Sequence, residues 1–314
     1  MSIILGFLLI TCSSTSASNY HLYVTNRDAA EISVINPESK REIERIPVGK
    51  APTYVAVTPD GKYVLVSVTG DRQLAVIDAS DYQIIKKLPL GEAPKGVNVD
   101  PEGNYAFCIN EGSSSNNVYV FGVGNWDKVA ETPVGKAPHN IAFDPIRPLA
   151  YVSNGESNTV TIVHRDSLAA VGTLHLTGTG QPHNLDVTPD GDYLLVTRKQ
   201  SNDLAIVDLQ QKKDITHIAL SPGHYGIDIS PDGQWAYASG VGGHVINVID
   251  VAKQALTKQI DVGQGPHGVR FSPDGKTAYV AVTETGELVI IDVNAQRVTG
   301  RISSPGFPFW IALR

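Results

Sequence analysis

The stretch His183-Asn-Leu-Asp-Val-Thr-Pro-Asp-Gly191 decides the fold, because the chain writes it repeatedly. It returns as Thr53-Tyr-Val-Ala-Val-Thr-Pro-Asp-Gly61, Lys95-Gly-Val-Asn-Val-Asp-Pro-Glu-Gly103, His139-Asn-Ile-Ala-Phe-Asp-Pro145, Tyr225-Gly-Ile-Asp-Ile-Ser-Pro-Asp-Gly233 and His267-Gly-Val-Arg-Phe-Ser-Pro-Asp-Gly275. A seventh start, Phe309-Trp-Ile-Ala-Leu-Arg314, ends the chain. The spacing is roughly 42 residues, the period of one propeller blade.

Each unit spells a second strand after the Pro-Asp-Gly turn (Tyr63–Val66, Tyr193–Val196, Ala278–Ala281), a polar loop such as 154–158, and a third strand ending in Ile/Val-Asp (Asp78, Asp208, Asp292). A fourth strand such as Gln83–Leu90 closes it. Alternation, β-branched and aromatic residues, and Gly/Pro/Asp punctuation agree on strand throughout. The start of the chain supplies strands two to four of a unit (21–25, 32–35, 43–46) that lacks a first strand, and Phe309–Arg314 is a first strand with nothing after it. The expectation is an all-β, seven-bladed β-propeller of four-stranded antiparallel blades, closed by pairing the N- and C-terminal strands in one blade. Closure also removes an open sheet edge.

Residues 1–17 read as a separate object. Met1–Ile10 is apolar, too short to span a bilayer, and followed by small polar residues through Ala17. We expect a secretory signal peptide and a single propeller over 18–314, placing the protein in the periplasm or outside the cell. No basic residue precedes the apolar run, and Leu9-Ile-Thr-Cys12 loosely resembles a lipidation box, so a lipid anchor is the alternative. After removal of the leader no transmembrane span remains, and Cys108 is the one cysteine left, which excludes an intrachain disulfide. Charged residues make up 18% of the chain and the formal net charge is −7. That balance, with no long Lys/Arg run, argues against a broad nucleic-acid surface. A closed ring needs no partner for stability, so a monomer is expected.

The segments Tyr23-Val-Thr-Asn26 and Tyr151-Val-Ser-Asn154, the Pro-Asp-Gly turns and the Val-Ile-Asp strands resemble the YVTN family of bacterial and archaeal β-propellers. The resemblance covers essentially all of the chain after the leader. It implies a seven-bladed propeller working outside the cytoplasm. Related propellers include cell-surface proteins, a periplasmic DNA-binding member, haem d1-binding proteins and the copper-bearing propeller of nitrous oxide reductase. The resemblance is specific for the fold and leaves function to be argued from the site.

The topology puts the first-strand starts and the loops between strands two and three on one face. Aligned on the turn proline, the residues at this mouth are Thr53, Lys95, His139, His183, Tyr225, His267 and Phe309. His224 stands one step earlier in its blade and His244 lies in the loop Gly240–His244 of the same blade. Imidazoles converging from adjacent blades suit Cu, Zn or Fe, so His139, His183 and His267 are the candidate metal ligands. A haem-type cofactor is the variant, with Lys95, Arg198 and Lys199 available for its carboxylates. The competing reading gives each His a local hydrogen bond at a loop–strand junction. Deeper in the channel a second ring comprises Ala56, Asn98, Ala142, Asp186, Asp228, Arg270 and Ala312; Asp228 and Arg270, on adjacent blades, are candidates for an ion pair that sets blade register, with a catalytic pair as the alternative, and Asp186 beside them is the group to watch for a raised pKa. Among aromatic residues near the mouth, Tyr54, Tyr225, Phe307 and Phe309 are candidates for a binding patch and Trp310 for core at the closure seam.

Two classes of function stay open on these residues. The first is a binding module that holds a small ligand, a metal or a partner protein at the mouth. The second is an enzyme that uses the same face for lactonase- or lyase-like or metal-assisted redox chemistry. No Gly-x-Ser-x-Gly, Walker loop, His-Glu-x-x-His or Cys pair is present, and no nucleophile–base pair is recognisable, so binding leads.

Overall fold

The computed structural model describes residues 20–113, 115–223 and 226–314; the leader, His224 and Tyr225 lie outside them. Seven four-stranded antiparallel sheets stand around a channel. Blade 1 comprises 22–47 with Pro308–Leu313, and blades 2 to 7 follow as 52–89, 94–133, 138–175, 182–219, 227–261 and 266–303. Within each blade the strands run in order from the channel outward, and Pro308–Leu313 is the inner strand of blade 1. The last strand pairs with the first as expected, with Leu22 opposite Leu313 and Val24 opposite Ile311. No helix among the described residues is long and apolar enough to cross a membrane.

Local chemistry explains the turn after each inner strand. Thr58 Oγ1 donates to Asp60 Oδ1 (2.6 Å) and accepts from the Tyr63 N–H (3.0 Å). Gly61, at φ 74°, takes the left-handed position that its missing Cβ allows. Ser230 and Ser272 do the same with Asp232 and Asp274. The Asp residues that end third strands cap the next turn: Asp78 accepts from Ser80 N–H and Asp208 from Gln210 N–H, each at 2.9 Å.

The core lies between blades, where buried aliphatic residues of the second and third strands meet the next sheet. Leu65, Leu74, Val76, Ile109, Leu194 and Val248 are all fully buried. Cys108 is equally buried and behaves as a small apolar side chain, its thiol pushed up by desolvation.

Two register shifts recur. On the outer side, each fourth strand carries one extra residue against the third: Ile43, Ile85, Val129, Val171, Ile215, Thr257 and Thr299. All seven are β-branched and exposed. On the inner side, two residues of the first strand oppose one of the second. His139 and Asn140 face Ser153, His183 and Asn184 face Thr197, and His267 and Gly268 face Ala281. This inner bulge re-aims the mouth residue, as bulges do.

Removing 309–314 strips blade 1 of its inner strand, and the truncated chain is expected to lose the single cooperative thermal transition of the full chain. Ile311→Ala, at a fully buried position of the same strand, is expected to cost about 2–5 kcal/mol by urea denaturation.

Candidate functional site

The inner bulge is held by the third residue of the Tyr-Val-Thr/Ser-Asn segment. Ser153 Oγ accepts the Asn140 N–H (3.1 Å) and donates to the His183 carbonyl of the next blade (2.6 Å). Thr25 Oγ1 accepts the Trp310 N–H (2.9 Å) and donates to the Thr53 carbonyl of the next blade (3.1 Å). Thr197 Oγ1 accepts the Asn184 N–H at 3.1 Å. A hydroxyl thus satisfies backbone groups that the ladder abandons and ties neighbouring inner strands together.

The channel that results has three tiers. The upper tier is a cavity of about 520 Å³ lined by His139, His183, His267, Phe307, Phe309, Lys95, Lys199, Glu111 and Arg27, among others. The middle tier is Tyr54, Gly96, Asn140, Asn184, Gly226, Gly268 and Trp310. Gly96 has no room for a side chain: a Cβ there would lie 2.5 Å from Asn140 Oδ1. The lower tier is a second cavity of about 390 Å³ that contains the ring expected from the sequence, Asn98, Asp186, Asp228 and Arg270 included. Tyr54, expected as a surface aromatic, is instead 2% exposed, because the shifted register turns it into the channel. Trp310, 3% exposed, packs on it with ring centroids 4.4 Å apart.

In the upper tier His139 and His183 stack face to face, ring centroids 3.7 Å apart. His139 Nδ1 lies 3.1 Å from Glu111 Oε1 and Nε2 lies 2.9 Å from the Tyr54 hydroxyl. Burial pushes the His139 pKa down, against the opposing pull of Glu111, so the neutral ring prevails. The network then assigns its proton to Nδ1, donated to Glu111, while the one Tyr54 O–H proton is shared between His139 Nε2 and Asn184 Oδ1, 3.2 Å away. Burial also keeps that phenol protonated. Desolvation alone would raise the Glu111 carboxyl, but His139 and Lys95 outweigh it and hold it below the usual range. Lys95 Nζ stands 3.2 Å from Glu111. Asn184 completes the lock: its Oδ1 accepts from Asn140 Nδ2 (2.6 Å) and its Nδ2 donates to His183 Nδ1 (3.0 Å).

The expected arc of imidazoles therefore divides. His267 belongs to a different wall, with its ring 4.4 Å from Phe309 and 6.4 Å from Phe307. His244 is exposed on a single helical turn and is not among the cavity residues. Both His139 nitrogens are committed, and the described residues hold no group of three or more side chains placed to bind a metal ion. The stacked His139 and His183 rings direct their in-plane lone pairs past one another and not toward one point shared with His267. Arg198, offered as a carboxylate receptor, is 3% exposed and bound to Asp203. Lys199 and Lys95 do line the cavity.

Sequence reasoning missed Glu111 and Arg27. Both directly follow the last residue of a second strand, as Lys199 does, and aligning the repeats there shows the charged members of the mouth. Arg27 and Lys199 make no ion pair among the described residues.

In the lower tier Asp186 Oδ1 accepts from Val187 N–H (2.9 Å) and Oδ2 from Ile229 N–H of the next blade (3.0 Å). Asp228 repeats the reach to Phe271 N–H at 2.7 Å and meets Arg270 at 3.3 Å. Burial, then the charge of Asp228, push the Asp186 pKa up to about 7, with Arg270 opposing. The folded protein therefore holds a proton that the unfolded chain releases between the ordinary carboxylate range and pH 7, and stability falls as pH rises through that window. Asp186→Asn is expected to gain on the wild type as pH rises from 4 to 8, read as the difference in urea midpoint; a constant difference would show that Asp186 titrates normally.

A sequence search against curated proteins finds no significant match. Solved structures share the architecture. Hydrazine synthase of Kuenenia stuttgartiensis superposes with a TM-score of 0.79 at 21% identity, covering 91% of this chain and 99% of that one. A functionally unknown protein from Desulfotomaculum acetoxidans gives 0.81 at 17% identity, covering 93% and 98%. The dihydro-heme d1 dehydrogenase NirN, solved in complex with DHE, gives 0.68 at 15% identity, covering 90% and 72%. Likeness at these identities carries the fold alone. The sequence profile of one family matches residues 13–102 and 171–274, more than half of the chain. The blade architecture, the repeat and that match together make this chain a member of the YNCE-like beta-propeller family.

Proposed function

We propose that this protein is a monomeric, extracytoplasmic binding protein that holds a small ligand in the upper cavity. The observation that carries the reading is the locked His139–His183 pair at the wall of a cavity of about 520 Å³. Glu111, Tyr54 and Asn184 fix both rings before any ligand arrives, so little ordering entropy is lost on binding. Arg27 and Lys199 add positive charge held in no ion pair among the described residues, on a lining that also carries the carboxylates Glu111 and Glu156. The apolar segment Met1–Ile10 supports export. Asp186 and Asp228 line the lower cavity, on the far side of the Tyr54–Trp310 tier from the imidazoles, and Glu111, the carboxylate that does touch His139, is tied to His139 and Lys95. These ties favour binding over catalysis.

Affinity-selection mass spectrometry with a metabolite extract tests the reading. A retained compound is expected, and His183→Ala should weaken it about tenfold through loss of the stacked face. Retention indifferent to His183, Lys199 and Phe309 substitutions would move the ligand elsewhere. For export, residues 1–25 fused to a phosphatase active only outside the cytoplasm should give activity; a silent fusion would remove the extracytoplasmic part.

A further inference from the structure

The repeat supplies its own reference for what is unusual at the mouth. The residue just before each inner strand adopts a left-handed backbone in blades 2 to 5: Ala51, Ala93, Ala137 and Gln181 have φ between 51° and 55°, save Ala93 at 43°. Gly265 holds the position in blade 7 at φ 81°. Blade 1 puts Phe307 there, at φ 67°. A ring in that region is strained where alanine, glutamine or glycine serves in other blades, and such strain gathers at functional sites. Two positions on, Phe309 stands where other blades carry Thr, Lys, His or Tyr. The two rings lie 18° from parallel with centroids 6.4 Å apart, and His267 closes the wall against Phe309.

A cation stands beside them. After the second strand, where blade 2 has Thr69, blade 3 Glu111, blade 4 Gly155 and blade 5 Lys199, blade 1 has Arg27. Its guanidinium carbon lies 5.6 Å from the Phe309 ring centroid, and its backbone N–H donates to the Phe307 carbonyl at 3.0 Å. The loop that carries the cation is thereby tied to the loop that carries the strained ring. A planar fork of donors without an ion-pair partner suits a carboxylate, and an aromatic wall suits a conjugated ring. Lys199, across the cavity beside the stacked imidazoles, adds positive potential in a protein of net charge −7.

Resting on the reading of the upper cavity as the ligand site, we propose that its ligand is an aromatic acid, with the ring against Phe307, Phe309 and His267 and the acid group on Arg27. The cavity discriminates by charge through Arg27 and by ring character through the phenylalanines.

Titration calorimetry with 2-naphthoate, methyl 2-naphthoate, 2-naphthylmethylammonium and cyclohexanecarboxylate tests this on the full chain. The naphthoate is expected to bind at least tenfold more tightly than the other three, and less tightly at high salt. Arg27→Gln should bring the acid-to-ester ratio close to one while the thermal midpoint stays unchanged. Phe307→Ala, which restores the residue other blades use, should reduce the preference for naphthoate over cyclohexanecarboxylate. Equal or tighter binding of the ester or the ammonium compound overturns the proposal and leaves the cavity as a site for another class. The same holds if none of the four binds while a metabolite retained from the extract depends on His183. If neither the four compounds nor any metabolite depends on cavity residues, the binding reading itself falls.

Discussion

A hydroxyl opposite the inner-strand slip, present in five of the seven blades as Thr25, Ser67, Ser153, Thr197 and Ser239, does more than any other group to give this channel its chemistry. Where the inner strand slips register, two consecutive residues face a single residue of the second strand, and the ladder leaves an N–H without its carbonyl. Ser153, Thr197 and Thr25 supply the missing acceptor at 2.9–3.1 Å. An unpaired buried amide costs about 1–3 kcal/mol, so the hydroxyl is what makes the slip tolerable. The slip, in turn, sends one residue to the mouth and the next into the bore. His139 and Asn140 divide that way, as do His183 and Asn184. The family's repeated Tyr-Val-Thr-Asn is therefore a device for turning a first strand into a display of side chains.

Chemistry then sorts itself by depth. The upper tier carries neutral imidazoles, an ionised Glu111 and cations. The lower tier carries two carboxylates that spend their lone pairs on backbone N–H groups of the adjoining blade. Asp186 and Asp228 play there the part that the hydroxyls play above, and burial, with the charge of Asp228 added to it, raises the Asp186 pKa. Arg270 answers that charge from below, lying 3.3 Å from Asp228 and 5.0 Å from the Trp310 ring centroid. The tier between them, built from two aromatics, two asparagines and three glycines, fits because large and small residues alternate in it. A larger residue at Gly226 would collide with the His267 carbonyl, 2.3 Å from the position of its Cβ.

The periodicity of the Pro-Asp-Gly turns was enough to read seven blades, the strand order and the closure from Phe309–Arg314, because each of these is a local pattern repeated. The lower ring was legible for the same reason: its members fall at one offset from the turn proline. What could not be read are contacts made across the bore. Tyr54 of blade 2 reaches His139 of blade 4, 85 residues away, and Asn184 of blade 5, 130 residues away. Those meetings depend on ring diameter and on a register slip that strict alternation conceals. Of the expected imidazoles, His139, His183 and His267 line the upper cavity, and the pairing of His139 with Glu111 and with His183 needed side-chain geometry. His267 looked like a third member of the set until the aromatic wall of blade 1 proved to hold it.

The seven extra residues on the fourth strands have a consequence for the molecule among its neighbours. A flat outer strand offers a row of free donors and acceptors to any extended peptide, and seven such rows would make the particle a hub for fibre growth. Each row is broken at one point by a β-branched side chain, Ile43 through Thr299, that bends the strand and takes its backbone out of line. Each rim thus presents a neighbouring rim with an interrupted ladder and not a continuous one.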